Sequence, residues 1–183
     1  MKVAITGHTK GIGAAIHTWL SSQGHEVIGF SRSTGYDISN EEIQKQIVNL
    51  ASDCDLFVNN AFAGSAQSNL LLKFWYAWND SAENKMILNI GSRAAIDYRK
   101  RVKPMLYDMH KLGLRELSND LAGRPGNVRV YHLTLGYVDV LSTKLKDVPK
   151  LDINAVLGCI EFMLSVPAPV QIRDVVCEVK QKI

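Results

Sequence analysis

The chain has 183 residues, 46% hydrophobic and 21% charged, with 21 Lys and Arg against 18 Asp and Glu. That is the make-up of one globular domain, 1–183, and it excludes disorder, collagen and coiled coil as descriptions of the whole chain. The net charge of +3 is too small a surplus to argue for a nucleic-acid partner, and no stretch approaches the roughly 20 apolar residues of a membrane span.

Val3-Ala4-Ile5 is a short apolar run that predicts a buried strand. Ile12, Ala15, Ile16, Trp19 and Leu20 follow at helical spacing, and Gly24 is placed to stop that helix. Val27 to Phe30 predicts a second strand. Ser39-Asn40-Glu41-Glu42 has the spacing of a capping box, ahead of a helical face of Ile43, Ile47 and Leu50. Leu56-Phe57-Val58 predicts a third strand, Leu70 to Trp78 a buried helix, and Met86 to Ile90 a fourth strand. Pro104 suits the first turn of a long helix with Leu106, Met109, Leu117 and Leu121 inward, ended by Gly123 and Pro125. Val128 to Leu133 predicts a fifth strand. Ala155, Val156, Cys159, Ile160 and Met163 form another helical stripe, and Val175 to Val179 a last strand.

Apolar strands separated by helices indicate an α/β fold, a doubly wound Rossmann-type parallel sheet of about six strands with helices on both faces. The polar stretch Ser142 to Lys150 reads as a loop insertion. Cys54, Cys159 and Cys177 are scattered and odd in number, so neither a disulfide framework nor a zinc site is expected. The N-terminal apolar run is too short for a signal peptide, which points to a soluble, reduced, cytoplasmic protein.

Between the first strand and the first helix lies Thr6-Gly7-His8-Thr9-Lys10-Gly11-Ile12-Gly13. Glycine there lets the backbone turn sharply and approach a pyrophosphate, while the helix start offers unpaired N–H groups to phosphate. The same turn also suits a plain strand–helix connection. Its spacing, G-x-x-x-G-x-G, resembles the T-G-x-x-x-G-I-G turn of the classical short-chain dehydrogenases/reductases. It does not match the T-G-x-x-G-x-x-G turn of the extended members, many of them epimerases. Further segments agree in the family's order. Asp55 to Ala61 resembles the strand ending N-N-A-G, with Phe62 in place of the last glycine. Ile90-Gly91-Ser92 resembles the strand end that carries the catalytic serine. Tyr107 to Lys111 matches Y-x-x-x-K. Leu135-Gly136-Tyr137-Val138 resembles P-G-x-V, with Leu135 in place of proline.

The resemblance implies carbonyl–alcohol interconversion by hydride transfer, on a small-molecule substrate, in a homodimer or homotetramer. Tyr107 and Lys111 are four apart and share a helix face. Free tyrosine, near pKa 10, is a poor acid–base group at neutral pH, and a neighbouring ammonium favours its phenolate. In the family this tyrosine gives its proton to the substrate oxygen, which Ser92 would hold by a hydrogen bond. Lys111 would also bond the cofactor's ribose hydroxyls, and no metal is required. A tyrosine–lysine pair at this spacing also suits a helix surface, and Ser92 a turn. Asn69, just before the apolar helix, is the candidate for the family's catalytic asparagine or else an N-cap. Asn59 and Asn60 are expected to border the cofactor or pin neighbouring strands. Ala61, Gly136 and Val138 complete the expected cofactor contacts.

The second strand ends in Phe30-Ser31-Arg32-Ser33, with no acid to bond a ribose 2′-OH as NAD sites require. Arg32 suits a 2′-phosphate, Lys10 adds charge nearby, and Asp37-Ile38 is expected to border the adenine, so NADP(H) is expected over NAD(H). A solvated surface arginine is the other use for Arg32, and Arg99-Lys100-Arg101 reads as a solvated cluster.

The chain is short for the family it resembles, whose members run to about 250 residues. Only four residues separate Arg32 from Asp37, whereas a parallel crossover with a helix needs roughly a dozen or more. The expected strand order is therefore 2-1-3-4-5-6, without the family's extra edge strand. The region Val140 to Asp152 is too short for a two-helix lid and predicts a small, open substrate site. The shortening keeps open an NADP(H)-binding sensor or scaffold without efficient turnover. Ser92, Tyr107 and Lys111 together favour the enzyme.

Overall fold

The computed structural model describes residues 1–97, 105–140 and 148–180. Along the chain run β1 (Lys2–Thr6), α1 (Gly11–Ser22), β2 (Glu26–Phe30), α2 (Glu41–Leu50), β3 (Leu56–Asn59) and α3 (Ala66–Trp78). They are followed by β4 (Lys85–Ile90), a one-turn α4 (Ala94–Asp97), α5 (Leu106–Ala122), β5 (Val128–Leu135), α6 (Ile153–Ser165) and β6 (Asp174–Cys177). The six strands form one sheet in the order β2-β1-β3-β4-β5-β6, and each pairing is parallel. The expected order holds, and among the described residues no strand lies beyond β2. Between Arg32 and Asp37 there is room for a single 3₁₀ turn, Arg32–Thr34, and α2 then leads directly to β3.

Strand side chains alternate between two cores. Val3, Ile5, Leu56, Val58 and Leu88 face α1 and α6, where Ile16, Leu20, Val156, Ile160 and Met163 meet them. Ala4, Phe57, Ile87 and Val130 face α2, α3 and α5, with Phe57 stacked on Phe74 at 3.7 Å between ring centroids. Both faces of the sheet are thus dry, which is why its strands read as continuous apolar runs. Among the described residues, no helix is long and apolar enough to cross a membrane.

Several local expectations shift. The N-cap of α2 is Asn40, whose Oδ1 accepts from the N–H groups of Glu42 (2.9 Å) and Ile43 (3.3 Å), because the Ser39 hydroxyl is spent on Asp37. Leu50, expected inward, is exposed at the end of α2. Helix α3 begins at Ala66, four residues before the apolar run, so Asn69 lies inside it and is not its cap. The inner face of α5 is Asp108, Lys111, Leu114, Ser118 and Leu121. Leu106 and Met109, expected inward, are exposed. Arg99-Lys100-Arg101, Pro104 and most of Ser142 to Lys150 lie outside the described residues.

Candidate active site

The turn from β1 to α1 is shaped by its glycines. Gly7 and Gly11 have φ of +74° and +61°, in the left-handed region that side chains rarely adopt. At Gly13 the constraint is space: a Cβ would lie 2.2 Å from the Gly7 carbonyl oxygen. Asn60 braces the turn, its Nδ2 donating to the Thr6 carbonyl at 2.9 Å, while Thr6 Oγ1 accepts from the N–H groups of Asn60 and Ala61, each at 3.1 Å. Lys10 precedes α1 in an extended conformation, makes no side-chain cap, and no acid occupies the first turn. The first N–H groups of α1 are therefore left for a ligand, and the positive end of the helix dipole favours an anion there.

Two cavities open beside this turn. The larger, about 690 Å³, is lined by Lys10, Gly11, Ile12, Gly13, Asn60, Ser92, Tyr107, Gly136 and Val138 among others. The second, about 520 Å³, is lined by Gly7, Thr9, Lys10, Ser31, Arg32, Asp37, Ile38 and Ala61 among others. Lys10 lines both. A dinucleotide, two nucleosides joined by a pyrophosphate, fits this division: a cavity for each half and a glycine cradle between them that a Cβ would fill. The sequence-predicted cofactor residues lie on one cavity or the other, except Lys111 and Asn59.

In the second cavity, Arg32 is exposed at the end of β2 and Ser31 is buried beneath it. The Ser31 N–H donates to Thr34 Oγ1 at 3.2 Å, and the Ser33 hydroxyl donates to Thr9 Oγ1 at 3.3 Å, tying the two turns together. Asp37 accepts from the Ser39 N–H (3.0 Å) and hydroxyl (2.8 Å), and those bonds hold its carboxyl below the usual range.

In the larger cavity, Ser92 follows β4, and its Oγ accepts from the Ala94 N–H at 3.2 Å, opening α4. Ser92 therefore makes the turn contact as well as lining the cavity. Tyr107 stands in the first turn of α5. Lys111, one turn further, is 4% exposed and lines neither cavity. Its ammonium donates to Gln67 Oε1 at 2.8 Å and to the Ile90 carbonyl at 3.1 Å. Burial pushes its pKa down to about 8. The Lys111 Nζ is 5.9 Å from the Tyr107 ring centroid and 5.2 Å from that of Phe62. Phe62 meets Tyr107 edge-on at 4.9 Å. The residue that departs from the N-N-A-G pattern is thus the one that stands over the lysine.

Asn69 is not brought to this site. It is exposed on α3 and lines neither cavity, because the helix starts early and turns Gln67, two residues before it, inward. Gln67 was invisible to apolar periodicity. Asn59 is fully buried and lines neither cavity; its Nδ2 donates to Asn89 Oδ1 at 2.8 Å, pinning β3 to β4. Arg93 was also missed, although it adjoins Ser92. It lines the larger cavity and pairs with Asp97 and, at 2.8 Å, with Glu178.

No family model matches this chain, and no curated protein sequence matches it. Solved structures do. A 3-alpha-hydroxysteroid dehydrogenase from Pseudomonas sp. B-0831, complexed with NADH, aligns over 98% of this chain and 95% of its own, at 20% identity and a TM-score of 0.77. A 3-ketoacyl-(acyl-carrier-protein) reductase from Brucella melitensis, complexed with NADH, aligns over 97% and 96%, at 18% identity and a TM-score of 0.81. The chain has their fold. An NADPH-dependent 3-quinuclidinone reductase from Rhodotorula rubra shares it too, over 97% and 89%, at 13% identity and a TM-score of 0.78.

Proposed function

We propose that this protein is a shortened short-chain dehydrogenase/reductase that interconverts a carbonyl and an alcohol with NADP(H). The observation that carries this reading is that Ser92 and Tyr107, from separate elements, line one cavity with the uncapped start of α1. The similar structures complexed with NADH, and the NADPH-dependent reductase beside them, support a nicotinamide cofactor. When bound, that cofactor supplies or accepts the hydride. The protein's own groups do the rest. The N–H groups of α1 and the Lys10 ammonium hold the pyrophosphate. The Ser92 hydroxyl donates to the substrate oxygen and orients it. The Tyr107 hydroxyl passes its proton to that oxygen, and the Lys111 charge favours the phenolate left behind. Val138, Val140, Val148 and Val179 give the cavity an apolar wall.

The preference for NADP(H) rests on Arg32 in the second cavity and on Asp37, which spends acceptor capacity on Ser39. A guanidinium there matches a 2′-phosphate by a charge-assisted fork. Three free cysteines fit a reducing cytoplasm, where we place the protein as a homodimer or homotetramer. The test is NADPH oxidation followed by absorbance against a panel of small carbonyl compounds, with Tyr107→Phe alongside. Carbonyl-dependent oxidation that collapses in the variant is expected. Absence of turnover with every carbonyl, despite NADPH binding, would favour a second reading, a cofactor-binding sensor or scaffold. One observation supports that alternative: Phe62 stands over Lys111, which lines neither cavity.

A further inference from the structure

Gln67 lies in the first turn of α3 and is 2% exposed. Its amide oxygen accepts from the Lys111 ammonium at 2.8 Å. Its amide nitrogen donates to the Asn59 carbonyl at 2.7 Å and to the Ile90 carbonyl at 3.2 Å. These partners fix which way the amide faces. Turned over, its NH₂ would meet an ammonium and its oxygen would meet two carbonyl oxygens. The Gln67 backbone is held as well, since Asn59 Nδ2 donates to its carbonyl at 2.9 Å and to Asn89 Oδ1 at 2.8 Å. One side chain thus joins the ends of β3 and β4 to a cation on α5.

We propose that Gln67 is the positioning residue for Lys111, its fixed amide oxygen anchoring the ammonium beside Tyr107 without neutralising it. The inference rests on the reading of Tyr107 and Lys111 as an acid–base pair. A carboxylate at this place would bind the ammonium more tightly but cancel the charge that favours a phenolate. A neutral acceptor orients the cation and leaves its field intact. Two of the three ammonium N–H groups are thereby assigned, to Gln67 and Ile90.

The surroundings agree with this division. From its own helix Lys111 has Tyr107, with Asp108 and Arg115 further along the buried and half-buried side. From β5 it has His132, whose pKa burial pushes down to about 4, with the Lys111 charge acting in the same direction and Asp174 of β6 against it. His132 is therefore neutral at pH 7. The groups that α3, β3 and β4 contribute are Gln67, Asn59 and Asn89, all uncharged.

The experiment follows Lys111 directly. Lysine labelled with ¹³C at Cε is observed by NMR in the cofactor-free protein across pH, with the Lys111 signal assigned by its loss in Lys111→Met. Gln67→Glu keeps the side-chain shape and should raise the Lys111 midpoint by about one pH unit, since an opposite charge favours the ammonium. Gln67→Leu removes the acceptor and should lower it. Gln67→Glu carries the test by itself where Gln67→Leu does not fold. In kinetics, the alkaline limb of kcat should move with the midpoint in each variant. A merely structural role would lower kcat at every pH and leave both midpoints at the wild-type value, and that result would overturn the proposal. If the wild type reduces no carbonyl at any pH, the proposed activity fails, while the titration still decides the role of Gln67.

Discussion

Lys111 shows what a single residue contributes and costs. Its folded pKa is about 8 against an ordinary 10.5, with burial as the cause. Between those values the unfolded chain holds a proton that the folded chain has released, so stability rises with pH there. Below about pH 8 both states are protonated and the cost of burying the ammonium is fully present. The full shift corresponds to roughly 3 kcal/mol. Urea unfolding of the wild type and Lys111→Met at pH 7.5 and pH 10 should show the wild type gaining about 2–3 kcal/mol on the variant. Parallel pH dependence of the two proteins would refute the burial cost. Activity should run the other way, declining above about pH 8 as the ammonium is lost. Tyr107→Phe removes one oxygen, so folding and NADPH binding should survive while turnover falls roughly 10²–10⁴-fold. Near-normal reduction by this variant would show that the proton comes from elsewhere.

At the scale of elements, the β1–α1 turn and helix α5 make a useful pair. Gly13→Ala would put a Cβ 2.2 Å from the Gly7 carbonyl oxygen, so the turn must open. The expected cost is about 1–3 kcal/mol of stability. NADPH affinity should fall by roughly tenfold or more, because the N–H groups of α1 lose their aim. Gly113→Ala, in contrast, meets nothing within 4 Å on α5 and should stabilise the protein by up to about 1 kcal/mol through helix propensity. Thermal melts and NADPH fluorescence titrations of both variants check the pair. Equal behaviour of the two alanines would mean that the turn is not held closed by its glycines. Asn40→Ala removes the acceptor for two N–H groups at the start of α2 and should cost about 1 kcal/mol in the same melts.

At the scale of the molecule, the parallel sheet brings β1, β3, β4 and β5 to a common edge where the two cavities meet the glycine turn. A ligand spanning them links α1, β2, α5 and the end of β6, so binding should stabilise the whole domain. NADPH at a hundredfold excess over its Kd should add about 2.7 kcal/mol. For a domain of this length that is a rise in Tm of roughly 5–10 °C. NADH at the same concentration should raise Tm less. In Arg32→Ala the two cofactors should draw level, because Arg32 is the cation expected to meet the 2′-phosphate. Equal shifts from NADPH and NADH in the wild type would refute the proposed preference.

The amino-acid sequence alone carried the order of strands and helices, the strand order of the sheet, and many of the residues that line the two cavities, though not Arg93. Those features are local: apolar runs, glycine spacing, and a crossover too short for another strand and helix. Tertiary structure alone decided which side of α5 faces inward. Asp108, Lys111 and Ser118 are buried there with Leu121, and Leu117 packs beside them, while Leu106 and Met109 stay outside, so hydrophobic periodicity placed the second half of that face and missed the first. It also decided that Gln67 reaches Lys111 while Asn69 faces solvent, and that Phe62 covers the lysine. The physical reason is that a buried polar group is tolerated only where its hydrogen bonds are met, and its partners here are distant in sequence. Gln67 and Lys111 are 44 residues apart. Side-chain patterning records which residues avoid water, and only the packed fold shows which polar residues have found each other.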